Sequence, residues 1–174
     1  MQGSVEKRGA VGIAWFDNPP VNAISHEVRQ GLMAAIDTAV SDREIKALII
    51  ACRGRTFMAG ADITEFGSSP KPPGLPDVVM AMSESPILKV AAIFGTTLGG
   101  GFETALACDY RIAQSGSKVG LPEVKLGILA GAHGTQRLPR VANVDFALKV
   151  MTSGEPVTVE AAQEAGAVDR VTSG

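Results

Sequence analysis

The stretch ILKVAAIFGTTLGGGFETALACDYRIA, residues 87–113, decides how the rest of the chain is read. Its opening, ILKVAAIF at 87–94, is an apolar and β-branched run too short for a helix, and it suits a buried strand. Gly99, Gly100 and Gly101 follow, then an alanine-rich segment, 102–108, that favours helix, and DYRIA at 109–113 reads as the next strand. Strand, glycine turn, helix and strand in that order make the repeating unit of an α/β fold. Backbone N–H groups at a helix start have no intrahelical partner, and glycine leaves them open to a ligand. The turn can therefore seat an anionic oxygen, although glycine clusters also serve packing. Glu103 falls in the first turn of this helix, where a carboxylate also complements the helix dipole.

Upstream, AVGIAWFD at 10–17 reads as a buried strand ended by NPP at 18–20. Ser25 caps a helix to about residue 40, with Val28, Leu32, Ala35, Ile36 and Ala39 on one apolar face. IKALIIAC at 45–52 reads as a central strand, and TFMAGADITEF at 56–66 as a glycine-bearing candidate binding loop whose Asp62 caps a short turn. SSPKPPGLP at 68–76 holds four prolines among nine residues and reads as an exposed connection, followed by a helix near 77–83. Downstream of the decisive stretch the spacing predicts a helix near 144–152 and a last one, capped by Thr158 and stopped at Gly166, before AVDRV.

The 174 residues suit one domain, 1–174, and 45% hydrophobic against 20% charged residues is the balance of a folded α/β chain. A net charge of −2 with both signs interspersed excludes the basic stripe of a nucleic-acid binder. Cys52 and Cys108 stand in apolar surroundings with no metal-ligand spacing, which predicts buried reduced thiols and no metal site. The polar start MQGSVEKRG lacks the apolar segment of a secretory signal, and no apolar run approaches the ~20 residues of a membrane span, so a cytoplasmic location is expected.

Several chemistries are absent from the sequence. The triple glycine is not the G-x-G-x-x-G of a dinucleotide fold, GILAGAHG at 127–134 is only glycine-rich, and no phosphate-binding P-loop occurs. His26 and His133 have no G-x-S-x-G serine to serve. Arg53 and Arg55 suit either a phosphate contact or a solvated loop. Glu123, in GLPEVKLG, reads alone as an ordinary acid after Pro122. Brought to one cavity with Glu103 beside free amides, it completes a carboxylate pair able to add water.

Taken together and in order, PPVNAIS at 19–25, FMAGADITEF at 57–66, GTTLGGGFETALACDYRIA at 95–113, VGLPEVKLGILAGAHGTQRLPR at 119–140 and TSGEPVTVEAAQEAGAVDRV at 152–171 resemble the crotonase, or enoyl-CoA hydratase/isomerase, family. The likeness spans nearly the whole chain and is strongest to the hydratase part of multifunctional fatty-acid oxidation enzymes. It implies a spiral of β-β-α turns that binds an acyl-CoA thioester, with the carbonyl oxygen between two N–H groups matching Ala61 and Gly100. It further implies Glu103 and Glu123 as the pair that adds water to a trans-2-enoyl-CoA, and Val21, Ala59, Asp62 and Ile63 as CoA contacts made largely through the backbone. No cofactor beyond the CoA of the substrate is implied.

The same resemblance implies a homo-oligomer or a covalent fusion to a 3-hydroxyacyl-CoA dehydrogenase, and a peroxisomal location in a eukaryote. Two alternatives accompany it, a Δ3-Δ2 enoyl-CoA isomerase and an acyl-CoA-binding or assembly module without turnover. Ala130 and His133 depart from the proline and small glycine of many relatives. The chain also stops at VTSG where family domains continue through further helices, so a core truncated at its C-terminus is expected.

Overall fold

The structure, a computed structural model, describes residues 2–65, 67, 69 and 71–173, apart from the side chain of Ile63. In chain order its elements are β1 (Ser4–Arg8), β2 (Val11–Phe16), α1 (His26–Ser41), β3 (Ala47–Cys52), α2 (Leu75–Glu84), β4 (Leu88–Ile93), β5 (Thr96–Leu98) and α3 (Gly100–Leu106). There follow β6 (Tyr110–Gln114), β7 (Lys118–Gly120), α4 (Gly134–Val141), α5 (Val144–Ser153), β8 (Val157–Thr158), α6 (Val159–Glu164) and β9 (Arg170–Thr172), with short 3-10 turns at Ile63–Glu65 and Pro122–Leu126.

The main sheet has the order β1-β2-β3-β4-β6-β9 and is parallel except for β1, which pairs antiparallel with β2. A smaller sheet, β5-β7-β8, lies beside it and is prolonged by single bridges from Ala59 to Leu98 and from Ile24 to Ala61. Each turn of the chain thus leaves one strand in the large sheet, adds a short one to the small sheet and returns by a helix. This is the β-β-α spiral that the family resemblance implies.

Burial explains the elements. The α1 face predicted from Val28, Leu32, Ala35, Ile36 and Ala39 is buried, with Ser25 as the N-cap accepting from the Val28 N–H. Phe16, Leu48, Ile50, Ala91, Ile93 and Ala113 bury the alternate residues of the parallel strands under the helices. The start of the sheet uses one clasp twice. Lys89 and Asp109 form an ion pair at 3.0 Å while the Lys89 N–H donates to the same carboxylate at 2.7 Å. Arg111 and Asp169 repeat both contacts at 2.7 Å each. Both cations are buried, and further carbonyls satisfy them, from Ser85 and Ile87 for Lys89 and from Cys108 and Ala167 for Arg111.

Some boundaries differ from expectation. The helix after the glycines runs Gly100–Leu106, two residues earlier at each end than 102–108, because the glycines themselves enter the helix despite their low propensity. Leu75 and Pro76 belong to the first turn of α2 and not to the proline-rich connection, of which positions 68 and 70 lie outside the described residues. Strand β1 left no signal, since SVEKR is a polar edge with only Val5 half-buried. Among the described residues no helix is long and apolar enough to cross a membrane.

Candidate active site

The loops at the C-terminal ends of the parallel strands carry the segments around 19–25, 57–66, 99–103 and 121–134, and in such sheets that is the edge where ligands bind. After β3 the chain passes through 53–62 and is held there by backbone bonds on both flanks. The Ala59 N–H donates to Val21 O at 3.2 Å, the Ile24 N–H to Gly60 O at 2.9 Å and the Leu98 N–H to Met58 O at 3.2 Å. Ala61 is bridged to Ile24 in this arrangement, but its own N–H has no acceptor among the described residues. The N–H of Gly100, first in α3, has none either, as the orphan donors of a helix start dictate.

The two amides border one small space. A Cβ placed on Gly100 would lie 3.8 Å from the Ala61 nitrogen, 3.6 Å from Ile24 Cδ1 and 2.6 Å from Leu75 Cδ2. At Gly101 a Cβ would fall 1.9 Å from the Met58 carbonyl oxygen, so only glycine allows α3 to start this close to the 57–61 segment.

Glu103 lies one turn into α3 and is 3% exposed. Its Oε1 accepts from the Gly134 N–H at 2.7 Å, and the Ala132 backbone also acts on the carboxylate. The intervening His133 is left-handed, with φ 72°, which lets the amides on either side converge. Burial pushes the Glu103 pKa up to about 7, against the pull of the Gly134 amide and with the help of the Glu123 charge.

Glu123 rides on the 3-10 turn Pro122–Leu126. Its Oε1 would stand 2.8 Å from a Cβ on Gly99, the residue that caps α3, and its Oε2 is buried without a partner among the described residues. Burial raises its pKa as well. An apolar cavity of about 340 Å³ opens beside it, lined by Leu121, Val124, Ile128, Ala130 and Met151 among others. Both carboxyls therefore lie by the start of α3, where the Glu123 charge acts on Glu103 and two amides have no acceptor among the described residues.

The residues implied as CoA contacts meet different surroundings. Ala61 and Asp62 line a cavity of about 650 Å³ together with Ser25, Arg29, Thr64 and Lys71, whereas Val21 and Ala59 are not part of that lining. The Ala59 N–H is spent on Val21, and Asp62 uses Oδ1 to hold the Thr64 N–H at 2.9 Å and hydroxyl at 2.7 Å, the turn-capping role read from sequence. The side chain of Ile63 lies outside the described residues. Arg53 stacks over Trp15 at 4.6 Å from the ring centroid, and Arg55 Nε donates to Pro20 O at 3.2 Å. Both cysteines are free and buried, and no cluster of three or more His, Cys, Asp or Glu suited to a metal occurs among the described residues.

Sequence reasoning missed the Gly134 amide that holds Glu103. Its only signal was the glycine-rich GILAGAHG, which proves to carry a carboxylate clamp. It missed Leu75 as a neighbour of the site, because proline-rich connections give no indication of where they fold back, and it missed Arg29, whose partners at 65, 71 and 73 are distant in sequence.

A family model described as enoyl-CoA hydratase/isomerase matches residues 6–174. The peroxisomal bifunctional enzyme of Danio rerio is 44% identical over 163 residues, which are 94% of this chain and 23% of that protein. The probable enoyl-CoA hydratase of Bacillus subtilis is 41% identical over 165 residues, 91% of this chain and 64% of that protein. Among solved structures, Pseudomonas aeruginosa DspI superposes with a TM-score of 0.90 at 33% identity, covering 97% of this chain and 67% of that one. The chain thus spans less than a quarter of the length of the bifunctional relative and just under two thirds of that of the bacterial one.

Proposed function

Because this chain belongs to the enoyl-CoA hydratase/isomerase family, we propose that it adds water across the double bond of a trans-2-enoyl-CoA to give the 3-hydroxyacyl-CoA, a step of fatty-acid β-oxidation. The thioester oxygen sits between the N–H groups of Ala61 and Gly100. Negative charge gathers on that oxygen only as the enolate forms, so two preset amides stabilise the transition state more than the substrate. Each such donor is typically worth about 10²- to 10³-fold in rate.

Glu103, held open for reaction by the Gly134 amide, takes a proton from water as the oxygen attacks C3. Glu123 in its acid form gives a proton to C2, and the pair ends with its protonation exchanged. Both carboxyls have raised pKa values because burial disfavours their charged forms, and the Glu123 charge further opposes ionisation of Glu103. A single shared proton near neutrality is the state this chemistry needs, and the titration belongs to the pair. The apolar lining beside Glu123 suits the alkyl part of the substrate, and the reactive thioester arrives with the substrate's own CoA, so no further cofactor takes part.

The observation that carries this reading is the juxtaposition of the buried Glu103 carboxyl, with a pKa near 7, and the half-buried Glu123, whose Oε2 has no partner among the described residues, with two amides that have no acceptor among them either. Loss of the conjugated thioester absorbance of crotonyl-CoA is the direct test. Turnover abolished by Glu103→Gln and by Glu123→Gln is the expected result, and wild-type rates in either variant would overturn it. By analogy with the relatives named for two activities, fusion to a 3-hydroxyacyl-CoA dehydrogenase in the natural protein is part of the same proposal.

A further inference from the structure

Arg29 is a charged residue on the core side of α1, 8% exposed, in a position where a helix ordinarily presents an apolar side chain. The guanidinium is spent on four separate partners. Nε donates to Pro73 O at 2.8 Å, one terminal nitrogen to Ile24 O at 3.3 Å and to Glu65 Oε2 at 2.9 Å, and the other to Lys71 O at 3.3 Å. A buried cation costs free energy unless it is paired and fully bonded, so the fold commits several groups to keeping it there.

Those partners have one thing in common. The Ile24 carbonyl that takes the Arg29 donor also accepts from the Asp62 N–H at 3.4 Å, while the Ile24 N–H donates to Gly60 O at 2.9 Å. Ala61 is suspended between these two bonds, which fix the direction of its free N–H. Glu65 closes the turn after Asp62 and also accepts from the His26 N–H at 2.6 Å, so the far end of the loop is anchored to the start of α1. Pro73 and Lys71 lie just before Leu75, whose Cδ2 stands against Gly100. One side chain therefore ties down three segments, and all three end at the space between Ala61 and Gly100.

We infer that Arg29 is a positioning residue for the oxyanion seat: its donors are spent on the fold, and it sets the orientation of the Ala61 amide and the place of Leu75. This rests on the proposed role of Ala61 and Gly100. A planar guanidinium can serve diverging carbonyls and a carboxylate at once, which an ammonium on a lysine stem cannot. Displacing a transition-state group by about 1 Å costs on the order of 10²-fold in rate, so the loss of Arg29 acts on kcat more than on KM.

The test uses the natural full-length protein and its Arg29→Met and Arg29→Lys variants, with crotonyl-CoA turnover, thermal unfolding and the absorption of bound para-amino-cinnamoyl-CoA. The absorption of that probe moves to the red as its carbonyl is polarised by the seat. The expected result is a wild-type red shift that is largely lost in Arg29→Met and partly kept in Arg29→Lys. With it should come a fall in kcat of about 10²-fold for the first variant and a smaller fall for the second, KM changing by no more than a few fold. If Arg29→Met does not fold, Arg29→Lys alone decides through its spectrum. A folded variant with the full red shift and wild-type kcat overturns the role of Arg29. A wild-type protein that gives no red shift overturns the oxyanion seat itself, and the inference with it.

Discussion

The Gly134 N–H donates to Glu103 Oε1 at 2.7 Å and joins the start of α4 to the first turn of α3 across 31 positions of sequence. The contact leaves the second oxygen of a buried carboxylate for chemistry while fixing the first. A Cβ on Gly134 would lie 2.9 Å from that Oε1, 3.0 Å from Glu103 Cγ and 3.1 Å from Ala130 Cβ. Gly134→Ala should therefore push Glu103 aside with little effect on the remaining fold. The expected outcome is a fall in kcat for enoyl-CoA hydration of about 10- to 10²-fold with an unchanged circular-dichroism spectrum. An alanine variant with wild-type kcat would show that this clamp does not govern Glu103.

The raised pKa values predict the pH dependence of the reaction. With Glu103 shifted to about 7 and Glu123 shifted in the same direction, the singly protonated pair is the active form. The profile of kcat/KM should be a bell with one limb near pH 7, falling in acid as both carboxyls hold protons and in alkali as both lose them. A profile flat from about pH 5 to 9 would contradict a shared proton.

Stability should depend on the same group with a definite sign. Glu103 has a higher pKa in the folded protein than its ordinary value of 4.5, so the folded state holds the proton more tightly. The stabilisation this gives is complete below about pH 4.5 and is lost as pH rises through about 7. Glu103→Gln removes the titration and retains an oxygen for the Gly134 N–H. Denaturant unfolding should find the variant more stable than wild type at about pH 8 by on the order of 1–3 kcal/mol, with the difference disappearing near pH 4.

The two carboxyls should separate by reaction. Water activation by Glu103 is needed for hydration, whereas shifting a double bond from the 3- to the 2-position moves a proton without adding water. Glu103→Gln should reduce turnover of a trans-2-enoyl-CoA by about 10²- to 10⁴-fold and that of a 3-enoyl-CoA by clearly less. Equal losses on both substrates would mean that Glu103 handles the carbon-bound proton as well.

The sequence by itself determined the alternation of elements, the apolar face of α1, the buried strands at 45–52 and 87–94, and the glycine turn before Glu103, because each is a property of neighbouring residues. Periodicity and capping act within a few positions, and their energetics do not wait for the rest of the chain. The motifs in order were also enough to suggest the family and to mark Glu103, Glu123, Ala61 and Gly100.

Tertiary structure alone decided that Gly134 holds Glu103, that Glu123 lies against Gly99, and that Arg29 gathers 24, 65, 71 and 73 around the Ala61 amide. It also spent groups that looked available, the Ala59 N–H on Val21 and the Asp62 carboxylate on Thr64. Burial and hydrogen-bond satisfaction depend on which surfaces meet, and no local window of sequence contains that information. The opening stretch thus identified a helix start with spare amides, and the folded chain set the Gly100 amide beside that of Ala61, a residue outside that stretch, both without an acceptor among the described residues.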